Sequence, residues 1–194
     1  MSNLKNIISK YDEKNITVYQ AYNNQIADEA LEKGTFGECF NLDRMSWIKP
    51  SFLWMMYRSG WGTKDGQERT LAIEISREGF NEIISQAVLA KYEPDIYQTP
   101  KEWKYKLKTS DVRCQWDPER NIHGNPIDRR AIQLGLRGII LRKYVNEYIY
   151  KINDISENVS IWREQIKEGT FDVNLLPKEG IYPVSDEIQN WLGM

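Results

Sequence analysis

Residues 44–61 combine aromatic, sulfur-containing and cationic side chains in one short segment. Three of the seven tryptophans and three of the five methionines lie here, interleaved with Arg44, Lys49 and Arg58. Core segments rarely carry this much positive charge, and surface segments rarely carry this much aromatic mass. An anionic aromatic ligand such as a nucleotide needs flat apolar groups beside cations. The segment also fits an amphipathic core helix whose cationic side chains reach water.

Arg44, Trp47, Lys49 and Ser51 are the candidate ligand-binding residues of this segment. A proline between Lys49 and Ser51 predicts a helix start, because proline suits the first helical turn. Arg44 and Lys49 precede that start and would reach phosphate together with its free backbone N–H groups. Trp47 would stack on a base or a nicotinamide ring. Arg58 comes later in the helix, and we expect it to pair with a buried carboxylate.

A second group of candidate side chains follows a predicted strand further along the chain. Gln115 and Asp117 lie at the end of that strand, where an Asp-Pro step would leave side chains at the mouth of a pocket. Asp117 or Glu119 would serve as a general base, and Arg120 as a phosphate clamp. An Asp-Pro turn with a simple ion pair fits the same residues. Gln133 is polar in an apolar segment, and it would contact either a ligand or the backbone.

Metal and nucleophile chemistry find little support in the residue inventory. A structural zinc site needs four nitrogen or sulfur ligands, and the chain has only His123, Cys39 and Cys114. We therefore expect no metal, although magnesium held by carboxylates leaves too weak a sequence trace to decide. Glycine-rich phosphate-binding motifs and the nucleophile elbow are absent. His123 lies in a turn-rich loop, which is typical of a surface histidine.

Composition places the chain among ordinary globular proteins. It has 194 residues, 26 Lys and Arg against 28 Asp and Glu, and a net charge of −2. This balance does not require nucleic acid as a partner. No apolar run approaches the roughly 20 residues that span a bilayer, so we expect no membrane partner. Two cysteines fit a reducing compartment, and we expect the cytoplasm. The sequence leaves the oligomeric state open.

The order of predicted elements indicates an α+β fold, because strands and helices do not alternate as regular βαβ units. We expect one domain over residues 1–194, with a core at about 10–170 and an irregular tail at 176–194. A mixed or antiparallel sheet would be flanked by amphipathic helices. Predicted strands cover residues 16–22, 70–75, 111–117 and 148–152. Predicted helices include one ending at Gly34 and others at 50–59, 80–88, 129–145 and 156–166, with a solvated loop or edge at 101–108.

Two glycines interrupt the apolar pattern of the helix predicted at residues 129–145. Gly135 and Gly138 would each cost about 1 kcal/mol against alanine inside a helix. Close packing or a ligand would then explain their presence.

Four stretches together carry a resemblance to a known family: residues 17–22, 44–61, 112–120 and 130–138. They resemble the domain of unknown function 4291 family of bacterial and microbial eukaryotic proteins. The resemblance covers roughly residues 10–165, and the tryptophan-rich segment is its most specific part. It implies a fold more than an activity, since the family has no established one.

A strand followed by an Ala-rich helix that ends at glycine is similar to the start of ADP-ribosyltransferase-like domains. That resemblance implies an NAD site. Tyr19 or Gln20 of the first strand would face the nicotinamide–ribose half, and Glu147 before a late strand would stabilise the ribose as nicotinamide leaves. The first strand here lacks the His or Arg that many members of the superfamily carry.

Two functional hypotheses follow from these residues. The first is a protein that binds a nucleotide, NAD or a relative, and transfers ADP-ribose. The second is a non-enzymatic module for nucleic acid or a protein partner, which would use Trp47, Lys49 and residues 101–108. The low net charge disfavours nucleic acid without removing it. An exposed aromatic surface would also suit a homodimer interface.

Overall fold

The computed structural model describes residues 4–194. In chain order, the strands of this part are β1 (Ile8–Ser9), β2 (Asn15–Tyr22), β3 (Ser46–Ile48), β4 (Arg69–Ser76), β5 (Ala87–Leu89), β6 (Val112–Arg120), β7 (Pro126–Leu136), β8 (Ile149–Asp154) and β9 (Gly180–Ile181). The helices are α1 (Asn24–Lys33), α2 (Phe52–Ser59), α3 (Arg77–Ser85), α4 (Pro100–Thr109), α5 (Gly138–Lys143), α6 (Ser156–Glu168) and α7 (Asp186–Leu192). A π-helical turn (Tyr144–Tyr148) continues α5, and a 3-10 turn (Val173–Leu175) follows α6.

Two sheets form the framework of the fold. The first has the order β2-β4-β8 and is antiparallel throughout. The second has the order β3-β7-β6-β5, in which only the β5–β6 pair is parallel. A short antiparallel pair, β1 and β9, forms a separate two-stranded sheet beside β2, where the Ser9 hydroxyl donates to the Thr17 carbonyl oxygen at 2.7 Å. The α+β fold class with a mixed and antiparallel sheet core is therefore confirmed.

A backbone bridge joins the two sheets at Tyr19 and Lys49. The Tyr19 N–H donates to the Lys49 carbonyl oxygen at 2.8 Å, and the Lys49 N–H donates back at 3.2 Å. This bridge holds β2 of one sheet beside the residue that follows β3 of the other. The side chains of both sheets consequently meet around Lys49.

Local signals fix the helix that follows the bridge. The Ser51 side chain accepts a hydrogen bond from the Trp54 N–H at 3.4 Å and caps the start of α2. Gly60 ends α2 in the left-handed conformation, with φ of 59°. The predicted helix at 50–59 is confirmed, as is the helix that ends at Gly34. The strands predicted at 16–22, 70–75, 111–117 and 148–152 are confirmed as β2, β4, β6 and β8.

The helix predicted at residues 129–145 is wrong in its first half, because residues 129–136 belong to β7, and the second half is helical. The last six residues of β7 are all buried, since the strand lies between β3 and β6 in the sheet. A strand covered on both faces has no polar alternation, so its apolar spacing imitates a helix. A helix begins only at Gly138, where φ is 56°.

Three smaller expectations also need correction. Residues 101–108 form most of helix α4 rather than a loop or edge, with Thr99 as its N-cap and Pro100 in its first turn. The helix predicted at 80–88 ends at Ser85, and Ala87–Leu89 forms strand β5. The tail at 176–194, expected to be irregular, contains β9 and α7.

The buried side chains form a large and a small cluster. The large cluster fills the space between the sheets and α1, α3, α5 and α7, and it includes the three buried residues of β5. The small cluster holds α2 against the first sheet and α6, through Tyr19, Phe52, Met55, Met56 and Val159. Met55 and Met56 are thus core residues, whereas Arg44, Lys49 and Arg58 of the same segment are not part of this cluster.

Candidate functional site

An open cleft with a volume of about 780 Å³ lies between the two sheets, beside the Tyr19–Lys49 bridge. We call it the Lys49 cleft. Sites for drug-sized ligands usually measure about 300–1,000 Å³, so the cleft has a suitable size. Most of the predicted site residues line it, namely Gln20, Arg44, Trp47, Lys49, Gln115, Asp117 and Gln133.

Two arginines line the Lys49 cleft and have no side-chain partner in the described part of the chain. Arg44 precedes β3, Arg58 lies in the last turn of α2, and both are exposed. Within residues 4–194, neither guanidinium forms a salt bridge or a side-chain hydrogen bond. Arg58 was expected to pair with a buried carboxylate, and that expectation is wrong. Both side chains therefore keep their donors available for an anionic ligand.

Lys49 lies deeper in the cleft and is only 8% exposed. Its Nζ donates to the Trp47 carbonyl oxygen at 3.1 Å, and no salt bridge to it occurs among the described residues. Burial lowers the pKa of Lys49 to about 7, and the positive charge of Arg58 acts in the same direction. The negative charge of Asp117 opposes this shift. Lys49 is consequently only partly charged at neutral pH.

Asp117 lies on the face of the second sheet that lines the cleft. Its Oδ1 accepts a hydrogen bond from Gln115 Nε2 at 2.9 Å, and its Oδ2 accepts one from Gln133 Nε2 at 2.6 Å. The backbones of Gln115 and Gln133 are direct partners in the β6–β7 register. The two glutamine amides thus orient the carboxylate, which the sequence singled out as a candidate base.

Gln20 belongs to a closed hydrogen-bond network at the wall of the cleft. Its Nε2 donates to Tyr22 Oη at 2.7 Å and to Ser46 Oγ at 2.9 Å, while its Oε1 accepts from Tyr144 Oη at 2.7 Å. Burial raises the pKa of both tyrosines, so their hydroxyls stay protonated. Such a network fixes the shape of the wall, and it ties β2 to the start of β3.

Five predicted site residues lie outside the cleft lining, and one of them, Glu119, is described below with Glu179. Tyr19 is buried against Phe52, with ring centroids 5.4 Å apart. Arg120 stacks over the Tyr57 ring at 4.2 Å. Ser51 and Glu147 complete this set: the Ser51 hydroxyl donates to Glu119 at 2.7 Å, and Glu147 is exposed on the π-helical turn.

Two carboxylates, the buried Glu119 and the partly buried Glu179, lie at the start of α2, and sequence reasoning missed Glu179. Glu119 is fully buried, and Arg129 Nη2 approaches it at 3.8 Å. Glu179 Oε1 accepts a hydrogen bond from the Phe52 N–H at 2.8 Å. Burial, assisted by the charge of Glu119, raises the pKa of Glu179 to about 8. Glu179 belongs to the tail, where no sequence signal pointed to a buried contact.

A family model described as a domain of unknown function (DUF4291) matches residues 6–182. The chain belongs to this family. The match to DUF4291 includes both sheets, the Lys49 cleft and Glu179, and it ends before α7. No curated protein matches the chain.

Three further observations concern metal ligands, His123 and membrane spans in this DUF4291 protein. Among the described residues, no group of three or more His, Cys, Asp or Glu side chains is placed to bind a metal ion. His123 is exposed in the turn between β6 and β7. None of the helices within residues 4–194 has the length and apolar character needed to cross a bilayer.

Proposed function

We propose that the Lys49 cleft binds a nucleotide, with NAD or a related ADP-ribose compound as the ligand class. The observation that carries this proposal is the presence of two arginines, Arg44 and Arg58, beside Trp47 in one cleft, neither of whose guanidinium groups has a partner among residues 4–194. A planar guanidinium matches phosphate oxygens with paired donors, and a charge-assisted bond contributes about 1.5–3 kcal/mol. The indole of Trp47 supplies a face on which a base or nicotinamide stacks.

The amide and carboxylate groups of the cleft suit the rest of such a ligand. The amides of Gln115 and Gln133 and the carboxylate of Asp117 line the wall. Ribose hydroxyls donate to carboxylates and accept from amides, so this wall is chemically matched to a sugar. A cleft with cations, an aromatic face and amide groups therefore covers the three parts of a nucleotide.

Transfer of ADP-ribose is the reaction that the resemblance to ADP-ribosyltransferase-like domains implies, and it receives less support. A carboxylate close to the ribose would be required. Glu147, the residue assigned to that role by resemblance, does not line the cleft, and neither does Tyr19. Asp117 is the candidate catalytic carboxylate that does, with Gln20 in the adjoining wall.

The alternative is a non-enzymatic module for nucleic acid or a protein partner. It relied on a surface shared by Trp47 and residues 101–108. These two parts lie at opposite edges of the second sheet. Trp47 is on β3 at one edge, and α4, which contains residues 101–108, packs against β5 at the other edge. Trp103 of α4 holds this position by donating from Nε1 to the Leu89 carbonyl oxygen at 2.8 Å. A small nucleotide in the cleft is thus better supported. The cysteine content still favours the cytoplasm as its location.

Calorimetric titration with ADP-ribose, NAD and adenosine tests the proposal. We expect ADP-ribose and NAD to bind at least tenfold more tightly than adenosine, because only they carry phosphates for the arginines. Equal affinity for adenosine and ADP-ribose would contradict the assignment of Arg44 and Arg58 to phosphate. Binding of single-stranded oligonucleotides that weakens steeply with salt, in the absence of nucleotide binding, would favour the alternative.

A further inference from the structure

We propose that Lys49 is a nucleophilic amine that forms an imine with the carbonyl group of a phosphorylated aldehyde or a phosphorylated reducing sugar. This inference rests on the proposed function only in requiring that the Lys49 cleft admits a phosphorylated ligand. It goes beyond nucleotide binding because it assigns a covalent step to one side chain.

The position of Lys49 differs from that of an ordinary surface lysine. Such lysines bury their aliphatic stem and extend the ammonium group into water. Here the head group is buried as well, and the backbone is held by the bridge to Tyr19. Lys49 therefore lines a cleft that is open to ligands, from a backbone position that the bridge holds.

The hydrogen bonding of Lys49 suits a neutral amine. A lysine ammonium has three N–H donors and no lone pair. The described residues offer Nζ one acceptor, the Trp47 carbonyl oxygen at 3.1 Å, and no salt bridge. A neutral amine needs fewer acceptors, and its lone pair is then available on the cleft side. The pKa of about 7 agrees with this geometry.

The charged groups around Lys49 have different roles towards the expected ligand. Arg58 and Asp117 are the charged groups that act on Lys49 most strongly. Arg58 and, at the rim, Arg44 provide cations for the phosphate. Asp117 is held by two glutamine amides, so it remains directed along the cleft wall instead of pairing with Lys49.

The chemical step balances without any oxidant or reductant. The nitrogen of neutral Lys49 bonds to the carbonyl carbon as the carbonyl π bond breaks, and the oxygen takes up one of the two amine protons to give a carbinolamine. The hydroxyl group then takes up the other amine proton and leaves as water, as its C–O bond breaks and the C=N bond forms. The product is an imine and one water molecule. We assign these proton transfers to Asp117, whose charge acts on Lys49, and Arg58 holds the phosphate during both stages.

Reductive trapping with pyridoxal 5′-phosphate as the aldehyde probe tests the inference. The folded protein is mixed with the probe at pH 7 and reduced with sodium borohydride, and the labelled peptides are identified by mass spectrometry. We expect Lys49 to be labelled at least tenfold faster than Lys104, which is exposed on α4. About half of an amine with a pKa of 7 is neutral at pH 7, against about one in 2,500 for an ordinary lysine. Pyridoxal without the phosphate should label Lys49 more slowly.

Matched variants separate this reaction from general lysine labelling. Lys49→Arg retains a cation and a donor for the Trp47 carbonyl but cannot form an imine, so the fast adduct should disappear. Lys104→Arg removes one exposed lysine and should leave the fast adduct unchanged. Circular dichroism and thermal unfolding of each variant show that the fold is retained.

The outcomes distinguish this inference from the proposed function. Labelling spread evenly over exposed lysines of the folded wild-type protein would overturn it, as would a fast adduct that persists in Lys49→Arg. Nucleotide binding without trapping at Lys49 would contradict imine formation and still support the proposed function. Fast trapping at Lys49 without any affinity for NAD or ADP-ribose would support the amine and reject the nucleotide.

Discussion

The indole ring of Trp47 lies directly across Gly135 of the neighbouring strand. A Cβ atom at position 135 would come within 3.0 Å of the Trp47 ring and within 2.7 Å of Met45 Sδ. The two residues are register partners in the β3–β7 pair. The orientation of the aromatic face at the cleft thus depends on the absence of a side chain at Gly135.

Gly135→Ala should displace Trp47 and reduce both stability and nucleotide affinity. Because the new methyl group overlaps the ring and a sulfur atom, we expect a loss of about 1–3 kcal/mol in the free energy of unfolding. Urea denaturation measures the loss. Gly180→Ala is the control, since its Cβ would meet only Tyr11 Cε1 at an ordinary 3.8 Å. Equal stability of the two variants would show that Gly135 is not needed for the position of Trp47.

Arg58→Gln should weaken ADP-ribose binding at least tenfold while leaving stability nearly unchanged. The loss in affinity follows from removing a charge-assisted bond to phosphate, worth about 1.5–3 kcal/mol. Arg58 has no partner in the described part of the chain, so unfolding should change by less than about 0.5 kcal/mol. Calorimetry and urea denaturation provide the two readouts.

Arg142→Gln is the matched control for this experiment. Arg142 is exposed on α5 and pairs with the exposed Asp43 at 3.3 Å, away from the cleft lining. Its replacement should leave ADP-ribose affinity as in the wild type. A similar loss of affinity in both variants would indicate a general effect of surface charge rather than a phosphate contact by Arg58.

Lys49→Met should stabilise the protein at pH 6, and the gain should shrink as the pH rises. Below pH 7 the amine is charged in both the folded and the unfolded chain, so the full cost of burying the charge is present. Between pH 7 and about 10.4 the unfolded chain binds more protons, and wild-type stability rises by at most about 1.4 kcal/mol per pH unit from this group. Denaturation at pH 6, 8 and 10 measures the difference.

Lys104→Met provides the reference for the lysine experiment. Lys104 is exposed, so its replacement should change stability by less than about 0.5 kcal/mol at each pH. Parallel pH profiles for the wild type and Lys49→Met would contradict the lowered pKa of Lys49. The Lys104 profile shows how much of any slope comes from the remaining titrating groups.

Glu179→Gln should stabilise the protein at pH 8 and have little effect near pH 4.5. The folded state keeps Glu179 protonated up to a pKa of about 8, whereas an unfolded glutamate ionises above about pH 4.3. The folded state therefore binds more protons in this window, and wild-type stability falls as the pH rises. Glutamine cannot ionise, and its Oε1 can still accept from the Phe52 N–H.

Denaturation of Glu179→Gln across pH 4.5 to 8 tests this expectation. The wild type should lose stability relative to the variant by up to about 1.4 kcal/mol per pH unit. Glu13→Gln, at an exposed carboxyl, should follow the wild type. A constant difference between the wild type and Glu179→Gln at all pH values would argue against titration of Glu179.

Local signals made much of the framework predictable from sequence. Ser51 and Gly60 mark the ends of α2, and β-branched and aromatic residues mark β2. Such signals act within a few residues, so they can be recognised without knowledge of the tertiary structure. The DUF4291 resemblance drew on the same stretches, and it is confirmed by the match over residues 6–182.

The interior of the second sheet could not be predicted in this way. Residues 131–136 are buried on both faces, and a strand of that kind lacks the polar alternation that distinguishes it from a helix. Close packing or a ligand was expected to explain Gly135, but the ring that this residue contacts lies almost ninety positions earlier. A single sequence contains no signal for that pairing.

Site residues could be predicted from sequence where their side-chain type identified them. They could not be predicted where their role depends on the packing of distant parts of the chain. Cationic and aromatic types singled out Arg44, Trp47 and Lys49, and all three line the cleft. The direction of Arg58 and the burial of Glu179 depend on how α2 and the tail pack. Neither follows from local spacing.

Thermal unfolding with and without ADP-ribose tests the central claim most directly. A ligand at 100 times its Kd should add about 2.7 kcal/mol, which for a chain of this size raises the midpoint by about 5–10 °C. We predict such a shift with ADP-ribose or NAD for the wild type and a smaller one for Arg58→Gln. A wild-type protein that unfolds cooperatively at the same temperature with NAD, ADP-ribose and simple nucleotides would contradict the nucleotide site.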